Sequence, residues 1–560
     1  MSLQPRAHVL APALALSLAF AACACSNAAG PDAPNVVPNA AIPADPALAE
    51  TIAAPEPTPT PAPPAPAPPA APEPPPAPTA VFTTPNGTTP AGDAALRWLD
   101  DAPLHGVTLP ADPTIAAWRD RPDPAQQAAA EDAIAAAAAQ LAAALAPRPN
   151  TTPVLVDDDG NYLSPDTLWL DAPLPTPDPD AARAVLDAAQ QGTLDDWFVG
   201  HLPSDPQYTR LVAAARQYRT LCAAGGWEPI RVPKHKRADR WKDEDGITAL
   251  QRRLALEGYL SGAPTGVYDD ATTAAVERYR ATHALWDKPY FDEDVAEALN
   301  VPCETRLATL LLNVRRWRHT ARTDQPTYVR VNLPAAVVTY VRAGEVRRVH
   351  RAVVGSGRSY FNRTLKRRIR RNATPVMHDE ISNVVLNPEW KVPFRLASQE
   401  IGPAIEKDPT YAEKHGFRIV TAANGHQMYV QAHGPSNALG QIKLTFPNSE
   451  SIYLHDTPSK GYFRFPKRDF SHGCVRVQDA IELGMTLVQD DFAERGESLS
   501  DYFLKKLIRE NEKTYWYGLD PAIPVFIEYY TASVDDDGGV HFHPDVYDYD
   551  ADSLKALAGR

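Results

Sequence analysis

Cysteine and methionine are scarce in this chain of 560 residues, at 5 and 4 copies, and positive charge is in deficit. Lys and Arg number 55 against 69 Asp and Glu, a formal charge of −14 at pH 7. That balance excludes a general nucleic-acid binder, which needs a basic face. The basic run from Lys366 to Arg371 is a local exception and reads as a solvated hairpin or loop edge ahead of an anion site. Beyond the N-terminus, no run reads as long and apolar enough to cross a bilayer, which takes roughly 20 residues. Outside the pair Cys23 and Cys25, only Cys222, Cys303 and Cys474 remain. So small an odd count does not describe a disulfide framework and leaves room for one free reactive thiol.

What the chain has in excess is proline, 57 residues in all. Its length implies two to four domains. Residues 1–25 read as an export signal, with Arg6 as a small positive region and Val9 to Ala22 as the apolar core. Phe20-Ala21-Ala22-Cys23 resembles a bacterial lipoprotein processing site, so a lipid anchor at Cys23 stands beside ordinary cleavage after Ala22 or Ala24. Residues 26–95 are rich in Pro and Ala and read as a disordered, semi-rigid spacer. From 96 to 240 the pattern is helical and reads as scaffold: Ile134, Leu141 and Leu145 recur at helical spacing, as do Leu211, Ala214, Tyr218 and Leu221.

Residues 247–301 form a compact three-helix unit. Leu250-Gln251-x-x-Leu254 lies in the first helix, Gly266-x-Tyr268-Asp269 leads into the second, which carries Thr272, Ala275 and Val276, and the third spans Asp292 to Leu299. These motifs resemble the small peptidoglycan-binding domain found beside many wall enzymes. Past Arg306 the period changes to that of strands. Arg342-Ala343-Gly344-Glu345 turns a hairpin between Ala336–Val341 and Val346–Val354. Ser382–Leu386, Arg418–Thr421, Gln441–Phe446 and Ser451–Leu454 read as further strands. A β-rich domain over 326–490 follows, with 491–560 as a C-terminal extension packing on it.

The chemistry concentrates in Ile452-Tyr453-Leu454-His455-Asp456-Thr457 and Ser471-His472-Gly473-Cys474-Val475-Arg476. Two strand ends can present His455 and Cys474 to one cleft. A thiol attacks carbonyls well once a base takes its proton, and imidazole suits that task near neutral pH. Ser-His-Gly-Cys-Val-Arg with an upstream His-x-Thr resembles the signature of the L,D-transpeptidase family. Asn387-Pro388-Glu389-Trp390, Gly434 to Gly440 and Pro524 to Thr531 resemble its large multidomain branch. The order of scaffold, peptidoglycan-binding unit and catalytic domain does as well. Gln431-Ala432-His433 departs from the branch, which more often has Gln-Pro-Pro.

The resemblance implies Cys474 as nucleophile and His455 as general acid/base. The carbonyl of Asp456 would orient the imidazole, and the amides of Gly473 and Cys474 would form an oxyanion hole. It leaves His472 and Ser471 between assisting the thiol and holding the loop. Arg476, Asn437 and Trp390 stand as substrate-side candidates, with bracing as the alternative for each, and about 387–426 as a lid. It further implies an exported cell-envelope enzyme that joins third residues of peptidoglycan stem peptides through a thioester and releases D-alanine. Other cell-wall enzymes would be partners, with no metal or organic cofactor. Three alternatives stay open: a zinc site from His455, Asp456, His472 and Cys474; a wall-binding protein without activity; and the same thiol chemistry used to anchor a protein to peptidoglycan or to trim stems.

Overall fold

A computed structural model describes residues 80–147, 154–156, 162–170, 172–231, 241–319, 325–358, 360–362, 367–369, 372–421, 425, 427–510 and 513–558. The export signal, Cys23 and the spacer up to residue 79 lie outside the described residues, as do parts of the basic run Lys366–Arg371. The three described residues of that run, Arg367–Ile369, pair with Tyr360–Asn362 as a hairpin.

The folded body begins inside the stretch read as spacer. Thr83–Thr84 and Gly87–Thr88 form a short hairpin. Phe82 is fully buried, and the Glu131 carboxylate accepts the amides of Val81, Phe82 and Thr83. Thr89 caps helix α1 (Pro90–Asp101) with Pro90 in its first turn, so the proline that marked spacer is here a helix start. Helix α2 (Gln127–Leu145) buries Ile134, Leu141 and Leu145 completely. The span Pro124–Leu145 is in fact long and apolar enough to cross a membrane, contrary to the sequence reading, but half of it is packed inside the protein.

Helices α3 (Pro206–Ala223) and α7 (Cys303–His319) pack side by side, and a disulfide joins Cys222 at the end of one to Cys303 at the start of the other. Between them sit α4 (Glu244–Leu256), α5 (Asp270–Thr282) and α6 (Glu293–Leu299) around Leu250, Leu254, Val276, Tyr279 and Leu299, all fully buried. Gln251 accounts for the Leu-Gln-x-x-Leu pattern. Its side-chain carbonyl accepts the amides of Thr265 and Gly266, while its NH2 donates to Val267 O and Thr272 Oγ1.

The remainder is built on nine strands: β1 (Tyr328–Asn332), β2 (Val337–Arg342), β3 (Glu345–Gly355), β4 (Met377–Leu386), β5 (Ile442–Thr445), β6 (Tyr453–His455), β7 (Asp469–Ser471), β8 (Val475–Val477) and β9 (Tyr515–Glu528). Their order is β7-β3-β8-β6-β5-β4-β9-β1-β2, and β2 pairs again with β3. The sheet therefore closes on itself, and β3 serves both ends of it. Ala343 and Gly344 both take positive φ in the β2–β3 turn, the geometry of a two-residue hairpin. Helix α8 (Ala480–Glu494) packs on β5 and β9.

One boundary needs correcting. The tail is no outer extension, because β9 lies in the middle of the sheet, antiparallel to β4 and parallel to β1. Helix α9 (Tyr549–Ala558) then carries Asp550 and Ser553 into a buried polar knot with Asp166, Arg316 and Thr531.

The candidate active site

Strands β6 and β8 run parallel, with Leu454 opposite Val475 and His455 opposite Arg476. Cys474 precedes β8 by one residue, so it lies diagonally across from His455, about 7 Å between Cβ atoms in a regular sheet. Lys443 on β5 lies opposite His455 on its other side. Side chains at paired positions share one face, so Lys443, His455 and Arg476 form a row, with Tyr453 and Cys474 one step along it.

The imidazole is held from behind. His455 is buried, and its Nδ1 donates to the carbonyl oxygen of Asp456 at 2.5 Å. A carbonyl only accepts, so Nδ1 carries the proton and Nε2 keeps its lone pair. Burial, followed by the charge of Arg476, pushes His455 down to about 3, so the ring is neutral around pH 7. The Asp456 side chain works elsewhere: it is paired with Lys460, and its Oδ2 accepts the amide of Gln441 at 3.1 Å. Gly440 faces that carboxylate so closely that a Cβ there would lie 2.3 Å from Oδ2.

The thiol is half-buried, with Sγ 3.6 Å from the carbonyl oxygen of Ser451. Burial pushes Cys474 above its ordinary value of 9.0. Hydrogen bonds from Tyr453 and the charges of Lys443 and Arg476 act in the other direction. Tyr453, pushed far above its own ordinary value by burial and by Cys474, stays a phenol at the thiol, and its oxygen is also hydrogen-bonded by Trp390. Trp390 thus touches the site through Tyr453.

The loop between β7 and β8 is braced atom by atom. Ser471 Oγ donates to the carbonyl of Cys474 at 2.6 Å and accepts the amide of Gly473 at 3.2 Å. That amide is therefore occupied. The Gly473 carbonyl accepts from Thr374 Oγ1 at 2.6 Å, and Thr374 is held by the hydroxyl of Tyr547 from the tail. Gly473 has φ +127°, a conformation side chains seldom adopt. His472 points outward and meets Glu400 at 3.0 Å.

Glu400 belongs to the segment read as a lid. Phe417–Thr421, Gln427–Gln431 and Trp390–Lys391 make a three-stranded sheet there, over a small core of Val392, Leu396, Ala397 and Ile401. Asn437 sits at its root, fully buried, with Nδ2 donating to the carbonyls of Pro388, Gln431 and Ala432 and Oδ1 accepting the Leu439 amide. All its polar atoms are spent on backbone, so Asn437 braces a loop and offers nothing to a substrate. Among the described residues, His455, Asp456, His472 and Cys474 do not converge as a metal-ligand set.

Residues 326–488 match the family model for the L,D-transpeptidase catalytic domain. The chain carries an L,D-transpeptidase domain. Ahead of that domain, residues 77–214 match a scaffold domain and 243–285 a peptidoglycan binding domain. A Haemophilus influenzae protein named "Putative L,D-transpeptidase" is 32% identical over 235 residues, 39% of this chain and 44% of the relative; the chain thus spans less than half of that relative's length. Among solved structures, the L,D-transpeptidase from Xylanimonas cellulosilytica is 17% identical, over 54% of this chain and 98% of that one, at a TM-score of 0.18. The L,D-transpeptidase from Mycobacterium smegmatis is 12% identical, over 38% and 60%, at 0.18. Scores that low carry no weight beside the family match.

Several members of the candidate site escaped sequence reasoning. Lys443, Tyr453, Thr374, Glu400 and Tyr547 converge from five separate segments. Of these, only Tyr453 had a signal, being two residues from His455 on one strand and so on the same face.

Proposed function

We propose that the protein is a cysteine L,D-transpeptidase of the cell envelope that cross-links peptidoglycan stem peptides through their third residues. The observation that carries this reading is the His455 Nδ1 bond to the Asp456 carbonyl, which leaves Nε2 as a base one strand away from a free thiol. Catalytic hydrogen bonds often tighten only once substrate is bound.

In the first step Nε2 takes the thiol proton as sulfur attacks the carbonyl of the third residue. The bond to the terminal D-alanine breaks, and the imidazolium returns the proton to the leaving amine. The thioester is then attacked by the side-chain amine of a neighbouring third residue, whose proton passes through His455 back to the thiolate. With the Gly473 amide occupied by Ser471, the Cys474 amide and the Tyr453 hydroxyl are the donors assigned to the oxyanion; one such donor is worth about 10²- to 10³-fold in rate. The segment over the site excludes water and favours an amine acceptor. The Cys222–Cys303 disulfide supports an oxidising compartment outside the cytoplasm.

The test uses disaccharide-tetrapeptides with products read by mass spectrometry. Dimers joined through third residues, absent with Cys474→Ala, are expected. Release of D-alanine without dimers would make the enzyme a carboxypeptidase, and equal behaviour of wild type and variant would end the cysteine mechanism.

A further inference from the structure

A file of aromatic rings leads from the three-helix unit to the nucleophile. Trp286, in the loop between α5 and α6, packs edge-on against Phe465 at 5.1 Å between ring centroids. Phe465 meets Phe470 at 5.4 Å, Phe470 meets Tyr462 at 5.1 Å, and the Arg476 guanidinium lies 5.9 Å from the Tyr462 ring. Arg476 stands two residues from Cys474 on the same face. Trp286 and Tyr462 are each 40% exposed. Trp286, Phe465 and Phe470 line a groove of about 530 Å³, within the range of small-ligand clefts, with Asp294, Glu297 and Lys467 among its walls, and Tyr462 stands beyond it against Phe470.

Both banks of the groove are held rigid from within. Arg280, almost wholly buried and paired with Asp292, donates to the carbonyls of Trp286 at 3.0 Å and Tyr290 at 2.8 Å. It fixes the loop that presents Trp286. Opposite, the buried Arg468 donates to the carbonyls of Phe465 and Pro466 and to those of Ala335, Ala336 and Ala352 on the barrel wall. Two buried guanidiniums spent on backbone are costly to desolvate, and what they hold in place is a pair of partly exposed aromatic loops. Preorganised aromatic faces beside carboxylates and an ammonium suit a ligand with apolar C–H faces and hydroxyl or amide edges. A chain of pyranose rings has that character.

We propose that this groove binds the glycan backbone of the substrate. Pyranose rings stack on Trp286, Phe465 and Tyr462, and the stem peptide extends past Arg476 to Cys474. The proposal rests on the cross-linking reading given above, and it names the occupant from two things: the groove is walled in part by the peptidoglycan-binding unit, and the file Phe470–Tyr462–Arg476 leads from it toward the reactive thiol. It gives the three-helix unit a task in register with catalysis: one glycan strand is held so that its stem reaches the sulfur.

The test uses full-length protein carrying Cys474→Ala, titrated by calorimetry with a peptide-free tetrasaccharide of alternating N-acetylglucosamine and N-acetylmuramic acid. Trp286→Ala and Tyr462→Ala in that background should each weaken binding about tenfold, the usual scale for truncating an aromatic anchor. Trp286→Phe should keep binding within about threefold. Exposed Trp286 can be truncated without opening a core, and a thermal melt checks this. No binding by the parent protein, or equal binding after Trp286→Ala, would overturn the proposal. Wild-type cross-linking of free tetrapeptides, measured in parallel, separates the outcomes: failure there sinks the cross-linking reading, while success there with unchanged glycan binding sinks the groove alone.

Discussion

The thiol at rest should be protonated and should ionise late. Burial raises Cys474 above 9.0, and the nearest imidazole is neutral and bonded to a carbonyl, so no preformed thiolate–imidazolium pair stabilises the anion. A group titrating at or above 9.0 is at most about 1% ionised at pH 7. Alkylation of Cys474 by iodoacetamide, followed by intact mass, reads the thiolate directly. Its rate should climb about tenfold per pH unit from 7 to 9 with no plateau, because the thiolate fraction does. His455→Ala should leave that climb in place while lowering transpeptidation by about 10²- to 10⁴-fold, since it removes a base used during turnover and not a partner at rest. A plateau reached by pH 7, abolished with His455→Ala, would refute the reasoning and establish a resting ion pair.

Other outcomes follow from the braces around the site. Gly440→Ala drives a Cβ into the Asp456 carboxylate and should cost at least 2 kcal/mol by denaturant melt, with activity falling as the His455 support shifts. Tyr547→Phe removes the hydroxyl that bridges Thr374 and Gly355; a loss of about 1 to 3 kcal/mol and a slower enzyme with little change in KM are expected from melts and steady-state rates. Acid should destabilise the fold early. His105 is held at about 4 and His455 and His543 at about 3 by burial, so the unfolded chain binds more protons below about 6.5 and stability falls as pH drops from there. Glu528, pushed up to about 7 by burial, offsets only part of this. A urea midpoint lower at pH 5 than at pH 7 is the expected reading, and an unchanged or higher midpoint would contradict it.

Much of the site was legible because its signals are local. The β2–β3 turn announces itself in Arg342-Ala343-Gly344-Glu345, and the core of α4 to α6 in evenly spaced Leu, Val and Tyr. His455 and Cys474 stand in short motifs whose residue types suit one chemistry. Elsewhere the signal was misleading or spread along the chain. Pro521 and Pro524 argue against a central strand, yet β9 breaks its pairing with β4 between Gly518 and Ile523, which takes in Pro521, and resumes it with Pro524 opposite Glu380. Pro90 read as spacer and proved to be the first turn of a helix. Contacts such as His472 with Glu400, and Tyr547 with Thr374, join residues far apart in the chain, and composition holds no record of them. The Cys222–Cys303 pair was hidden because 81 residues separate the two cysteines and a whole helical unit fills the interval.

The central claim is covalent acyl transfer through Cys474. Rapid mixing with a tetrapeptide donor whose third-residue side-chain amine is acetylated, so that it cannot act as acceptor, followed by acid quench and intact mass, would catch the intermediate. An adduct equal to the tripeptide donor less water, mapped to Cys474 and chased into cross-linked product by added acceptor, is the predicted result. An active enzyme with no adduct, or an adduct on any other residue, would contradict the account.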